Sequence, residues 1–225
     1  MIYASAVALK ILETITHFKT NYIHTAIRYY LSRQNPVIFE IGTHNGEDTI
    51  RFAKRYPNSK IYTFEPDPRL TTYLINKFRK WENIVFYPKA VYTHAAIKPF
   101  NLSPSNDLTN FKNTGSSSLL DLKSDSDKIF YKKVNVETIN LNDTFDGNDE
   151  RIDLIWIDIQ GAEKQIVNAH KSMFMNCGII WIEYGETDYV DCYTREELLL
   201  DFEDSHYVSF FSNRGSKGNL LLVKK

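Results

Sequence analysis

Apolar residues in this chain gather in short unbroken runs, separated by polar stretches that carry glycine and proline. Runs at 37–41, 60–64, 83–87, 154–157 and 178–185 are rich in Ile, Val, Phe and Trp. Runs of that length and composition read as strands buried on both faces. Between them the apolar spacing changes to three and four, which predicts helices over 47–56, 69–80, 162–171 and 194–204. Thr194 is a natural N-cap for the last of these, with Glu197 three residues on. Near the start, Leu12, Ile15, Phe18 and Tyr22, then Ile23, Ile27 and Tyr30, predict a pair of helices over 2–33 that covers one edge or face of a sheet. Asn35 and Pro36 end it and launch the first strand. Alternation at 134–138 predicts a further strand, with a helical or turn segment at 139–143. Strands at 207–211 and 219–223 close the chain around a turn at 214–218.

Strands alternating with helices predict an α/β fold. With no internal repeat, the 225 residues read as one domain, 1–225, with 1–35 as a helical cap. Residues 98–133 break the pattern, since Pro, Ser, Asn, Asp and Lys dominate around Gly115-Ser116-Ser117-Ser118-Leu119-Leu120. A stretch of this length without periodicity predicts an insertion beside the active site, as a mobile loop or small hairpin, or else a flexible surface insertion.

The hydrophobic share, 43%, is enough for a substantial core. With 27 basic and 28 acidic residues the net charge is −1, so no global field recruits nucleic acid or an anionic membrane. Lys10, Glu13 and Lys19 interrupt the N-terminal segment, which therefore offers no bilayer-spanning run. Two cysteines, Cys177 and Cys192, provide no disulfide framework and suit a reducing compartment. The expected location is cytoplasmic.

Candidate chemistry lies where strands end. The run Val37 to Ile41 leads into Gly42-Thr43-His44-Asn45-Gly46, a strand feeding a glycine-flanked turn and then a helix. That arrangement brings backbone close to a nucleotide-like ligand. The glycines are four apart and lack the three-glycine dinucleotide spacing, while Glu40 is badly placed against a pyrophosphate. Both points favour S-adenosylmethionine (SAM), with its positive sulfonium and no phosphates. Glu65, at the end of the second strand and 23 residues after Gly42, offers two carboxylate oxygens to two ribose hydroxyls. Small residues after the third strand, Ala90 among them, would let an adenine ring lie against backbone.

Taken together, Phe39 to Gly46, Thr63-Phe64-Glu65-Pro66-Asp67-Pro68, Gly115 to Leu119 and Trp156-Ile157-Asp158-Ile159-Gln160-Gly161-Ala162-Glu163 resemble the FkbM family of SAM-dependent methyltransferases. The matching blocks run from about 37 to 185. The family commonly carries Glu-Gly-Ala-Glu in the last block, where Gln160 stands here. The resemblance implies a Rossmann-like, seven-stranded, mostly parallel sheet with helices on both faces and the last strand antiparallel. It also implies methyl transfer to an oxygen, often a sugar or polyketide hydroxyl, so the expected partner is a small-molecule or glycan acceptor. The donor-contacting set becomes Glu40, Gly42, Thr43, Asn45 and Gly46, then Glu65, Pro66 and Asp67, with Ala90 and Asp158.

An alcohol is a poor nucleophile until a base takes its proton. Asp158, at the end of the central strand, is the first candidate for that base; its competing role is a contact to the methionine amino group of the donor. Glu183, one strand over, is the second candidate. His44 would be a base or merely shape the donor loop. Glu163 is expected to hydrogen-bond at its helix start. Asp158 and Glu183 together could hold a magnesium ion that polarises the acceptor. Asp188 and Asp191 read as solvated surface acids. Two other readings stay open: an N-methyltransferase, disfavoured on nucleic acid by balanced charge and the lack of an Asn-Pro-Pro-Tyr-type tetrad, and a catalytically silent SAM-binding module.

Overall fold

The computed structural model describes residues 19–104, 114–145, 151–185, 188–214 and 216–225. The part of the expected helical pair before residue 19 and the middle of the 98–133 insertion lie outside them. Each apolar run forms a strand: β1 (Val37–Ile41), β2 (Lys60–Phe64), β3 (Ile84–Tyr87), β7 (Leu154–Ile157) and β8 (Ile179–Gly185). With β9 (His206–Arg214) and β10 (Lys217–Lys224) they make a seven-stranded sheet in the order β3-β2-β1-β7-β8-β10-β9. Strands β3 to β8 in that order pair in parallel, and β10 runs antiparallel between β8 and β9. This is the Rossmann-like sheet with an antiparallel last strand that the resemblance implied.

The strands are buried on both faces, so alternate residues enter two different cores. Val37, Phe39 and Ile41 face one, with Ile155, Ile157, Ile180 and Ile182. The helices α5 (Glu163–Ala169), α6 (Lys171–Asn176) and α7 (Arg195–Phe202) cover it. Ile38 faces the other, with Trp156 and Trp181 beneath α1 (Lys19–Tyr30) and α2 (Glu47–Arg55). The helix α3 (Pro68–Phe78) packs Leu70, Leu74 and Phe78 beside α2, on Ile50, Ile84 and Phe86.

The helix expected over 162–171 breaks at His170, which leaves helical geometry at φ −120° and separates α5 from α6. Where it is described, the insertion carries more regular structure than its composition suggests. Its first part forms β5 (Ile97–Leu102), antiparallel to β6 (Lys132–Ile139), and β6 also pairs with β4 (Ala90–Val91). Pro99 hides β5 in the sequence, yet Phe100 and Leu102 point into a small core with Ala90 and Val136. Beyond β6 a short helix, α4 (Leu141–Phe145), returns the chain to the main sheet.

Among the described residues no helix is long and apolar enough to cross a membrane. Both cysteines are buried and free.

The capping box expected on the last helix is present: Thr194 Oγ1 accepts from the Glu197 N–H at 3.1 Å, and Glu197 accepts from the Thr194 N–H at 3.0 Å. Thr194→Ala is expected to cost about 1 kcal/mol, read as a lower urea midpoint with an unchanged m-value.

Candidate active site

Gly42 stands where β1 ends, at φ +92°, in the left-handed region that a side chain resists. A Cβ there would lie 2.0 Å from the carbonyl oxygen of Asp158. Only a bare backbone lets the β1 loop close onto the end of β7. The backbone N–H groups of Gly42 and Thr43 both donate to Phe64 O, at 3.0 and 3.1 Å, which ties the same loop to β2. A crevice opens beside it, walled by Ile41, Gly42, Phe64, Pro66, Ala90 and Val91, with Phe100 and Leu119 reaching in from the insertion.

Glu65 stands at the end of β2, between the crevice residues Phe64 and Pro66, and is itself buried. One carboxyl oxygen accepts from the His44 N–H at 2.8 Å and the other from the Asp67 N–H at 2.9 Å. Burial pushes its pKa up to about 7 against those two stabilising bonds. Each oxygen keeps a lone pair for a further donor. These features fit the ribose and adenine of SAM: a bare glycine turn, an apolar slot and a doubly anchored carboxyl.

Other members of the expected donor set face elsewhere. Glu40 shares the parity of Ile38, so strand alternation turns its side chain away from the crevice and under α2. There it is buried, accepting from Thr49 at 2.5 Å and Thr63 at 3.3 Å. Thr49 in turn accepts from Thr43 at 2.5 Å, so Thr43 also points beneath the loop. Desolvation raises Glu40 to about 8 and keeps it neutral. Its geometry corrects the expected donor contact: Glu40 props up the loop from below. Gly46 likewise faces protein, since a Cβ there would lie 2.6 Å from the Phe78 ring. Asn45 accepts from the Glu47 N–H at the start of α2. Asp67 is buried, caps α3 through the Arg69 N–H at 2.9 Å and pairs with the Arg69 guanidinium at 2.6 Å. Pro66 and Ala90 do line the crevice. His44, at φ +49°, serves the loop through its backbone, with its ring against Gly115.

On the other side of Gly42 the chain gathers acids. Asp158, Glu163 and Glu183 bring carboxyl oxygens within 4.8 Å of one another. Glu163 accepts from the Ile159 and Gly161 N–H groups at 2.8 and 2.9 Å, as expected of an acid at a helix start. Burial raises it to about 7. Desolvation, with Asp158 and Glu163 alongside, drives Glu183 up to about 10. That shift favours the protonated form of Glu183, beside the Asp158 carboxyl that shares its site.

Gln160 sits at the centre of this cluster. Its amide nitrogen donates to Asp158 at 2.7 Å and to Glu183 at 3.1 Å. An ionised Glu, the residue common at this position in the resembled family, has no proton to give either. The same amide lies against the oxygens a magnesium ion would need, so a cation there would first have to displace Gln160. Asp188, expected as a solvated acid, is largely buried and pairs with Lys217 and with Lys128. Asp191 is exposed, as expected, beside Lys164.

An open parallel sheet of this topology, with a glycine-turned crevice and acids at its carboxyl ends, places the chain among Rossmann-like methyltransferases. The fibrillarin/Nop5p complex contains a chain that superposes with a TM-score of 0.50 at 13% identity, over 86% of this chain and 74% of that one. At that identity the likeness concerns the fold alone. The chain belongs to the FkbM methyltransferase family, whose model, described as the methyltransferase FkbM domain, matches residues 40–217. It is also 28% identical over 206 residues to the 2-O-methyltransferase NoeI of Sinorhizobium fredii (strain NBRC 101917 / NGR234), covering 89% of this chain and 84% of that protein.

The neutral, buried Glu40 makes a testable pH signature. Its ordinary value is 4.5 and its folded value about 8. Between those two the folded chain keeps a proton that the unfolded chain has lost, so stability falls as pH rises through the window. Glu40→Gln supplies a neutral side chain at every pH. Its Tm is expected to decline less than the wild type's between pH 5 and 8; parallel curves would contradict the assignment.

Proposed function

We propose that this chain is a SAM-dependent O-methyltransferase whose acceptor is a hydroxyl of a sugar or glycan. One observation carries the reading: the donor crevice and the acid cluster meet at Asp158, whose carbonyl oxygen touches the Gly42 turn while its carboxylate faces Gln160 and Glu183. The crevice lies over β1, β2 and β4, the acids over β7 and β8. Such a division supports a reading with the donor on one side of Asp158 and the acceptor on the other. The name of the 28% identical relative, a 2-O-methyltransferase, supports oxygen as the accepting atom.

Bound SAM would supply an electrophilic methyl group on a sulfonium. Glu65 takes the ribose hydroxyls, Ala90 and Val91 lie along the base, and the Gly42 turn lets the donor approach the sheet. Asp158 accepts the acceptor's proton as the oxygen–carbon bond forms and the carbon–sulfur bond breaks, leaving neutral S-adenosylhomocysteine. Glu183, already protonated, stands beside it without competing for that proton. The cluster favours a neutral polyhydroxyl acceptor over an anionic one, since a phosphate or uronate would face the Asp158 carboxylate at close range.

A catalytically silent SAM-binding module is the alternative reading. Incubation with methyl-labelled SAM and a panel of methyl hexopyranosides separates the two. Transfer is expected for the wild type. Asp158→Asn should lower it by a factor on the order of 10²–10⁴ with SAM affinity changed less than about threefold. Glu65→Ala should do the reverse, weakening SAM binding by about tenfold or more in calorimetry. SAM binding without transfer to any acceptor, and with no effect of Asp158→Asn beyond affinity, favours the silent module.

A further inference from the structure

Lys128, which belongs to the insertion, ends over the acid cluster. Its Nζ donates to Gln160 Oε1 at 3.2 Å and to the Tyr189 hydroxyl at 3.0 Å, and it pairs with Asp188 at 3.2 Å. Three ammonium protons thus meet three acceptors, and the charge lies 4.6 Å from the Tyr189 ring centroid. The segment that brings it there is anchored in several places. Ser118 Oγ donates to Gln160 O at 2.8 Å, and Tyr189 Oη to Ser116 O at 3.1 Å. The Lys123 N–H donates to Asp188 O at 2.9 Å, and the Val190 N–H to Asp121 O at 3.2 Å. Lys128 is held from both sides.

We propose that Lys128 is a positioning residue for the acceptor site: it fixes the Gln160 amide against Asp158 and biases the cluster toward a carboxylate able to take the acceptor's proton. This rests on the reading of Asp158 as the base. The argument is one of donors and acceptors. Gln160 has acceptors, Asp158 and Glu183, at its nitrogen end and a cation at its oxygen end. Turning the amide over would set NH2 against ammonium and oxygen against carboxylate, so Lys128, together with the Tyr189 hydroxyl 3.2 Å from the same Oε1, holds its orientation. That orientation supplies the hydrogen bond that makes Asp158 a defined acceptor. The cation also offsets the mutual repulsion of Asp158, Glu163 and Glu183, and lowers the proton affinity of Glu183.

The charged and titratable groups around Lys128 are Asp158 at the end of β7, Glu163 on α5 and Glu183 on β8. Asp188 and Tyr189 follow β8, and Lys217 on β10 pairs with Asp188. Lys217 stays in place when Lys128 is changed, so Asp188 keeps a partner and the loop a tether. Removing Lys128 raises the proton affinity of the acid cluster. Its base then needs a higher pH, and the acid limb of the rate profile moves up.

The test compares wild type, Lys128→Met and Lys128→Arg, each as the full chain. Carbon-13 NMR of labelled Asp and Glu carboxyls follows the cluster with no acceptor present, with assignments from Asp158→Asn and Glu183→Gln. An upward shift of about one pH unit in the cluster's titration is expected for Lys128→Met and a return toward wild type for Lys128→Arg. SAM affinity by calorimetry should change less than about threefold. With the best methyl hexopyranoside acceptor, kcat should fall by up to about tenfold at pH 7 and recover at higher pH. Unchanged carboxyl titration in Lys128→Met overturns the proposal. So does a loss of rate that is the same at every pH, which would mean only a loosened loop. If Asp158→Asn keeps wild-type transfer, the base reading itself fails, whatever Lys128 does.

Discussion

The close approach of Gly42 to the carbonyl oxygen of Asp158 is the constraint on which the rest of the site depends. It demands a residue without a Cβ in a left-handed conformation, and it joins the ends of β1 and β7 into one wall. The crevice on one side and the acid cluster on the other are neighbours because of it. A buttress under the same loop, Thr43 to Thr49 to Glu40, lets the turn be tight without leaving polar groups unpaired. The loop is held from below by a neutral acid and from the side by Glu65.

The second theme is the management of like charges. Three carboxyl groups within 4.8 Å cannot all ionise cheaply. The chain answers by leaving Glu183 protonated, by feeding Glu163 two backbone N–H groups, and by placing the Gln160 amide between Asp158 and Glu183. Of the three, Asp158 is the one whose backbone also borders the crevice, through its carbonyl oxygen at Gly42. Hydrogen bonds, burial and one distant lysine divide the cluster into groups with different roles.

Much of this was legible in the sequence. The apolar runs at 37–41, 60–64 and 154–157 place strand ends, and strand ends in an open parallel sheet are where ligands bind. Glu65 and Asp158 were singled out that way. Glu40 was assigned to the wrong side, although the sequence held the signal: it alternates with Phe39 and Ile41, which face the crevice core, and shares parity with Ile38. Asp67 entered the expected donor set through the resemblance; its burial and its pairing with Arg69 depend on how α3 begins. The strand β5 was masked by Pro99 and by polar neighbours. Lys128 and Tyr189 were beyond reach, being 61 residues apart and brought together only when the insertion folds back over β8. Gln160 was noticed as a departure from the family pattern, but its amide has meaning only beside two acids.

The account turns on where the donor's sulfur sits relative to Asp158. The most direct measurement is a crystal structure of the chain with S-adenosylhomocysteine. The account predicts ribose hydroxyls on Glu65, the adenine between Ala90 and Phe64, and the sulfur at the Gly42 turn, directed toward the Asp158 carboxylate. A sulfur directed away from Asp158, or a ribose that leaves Glu65 unengaged, would contradict it.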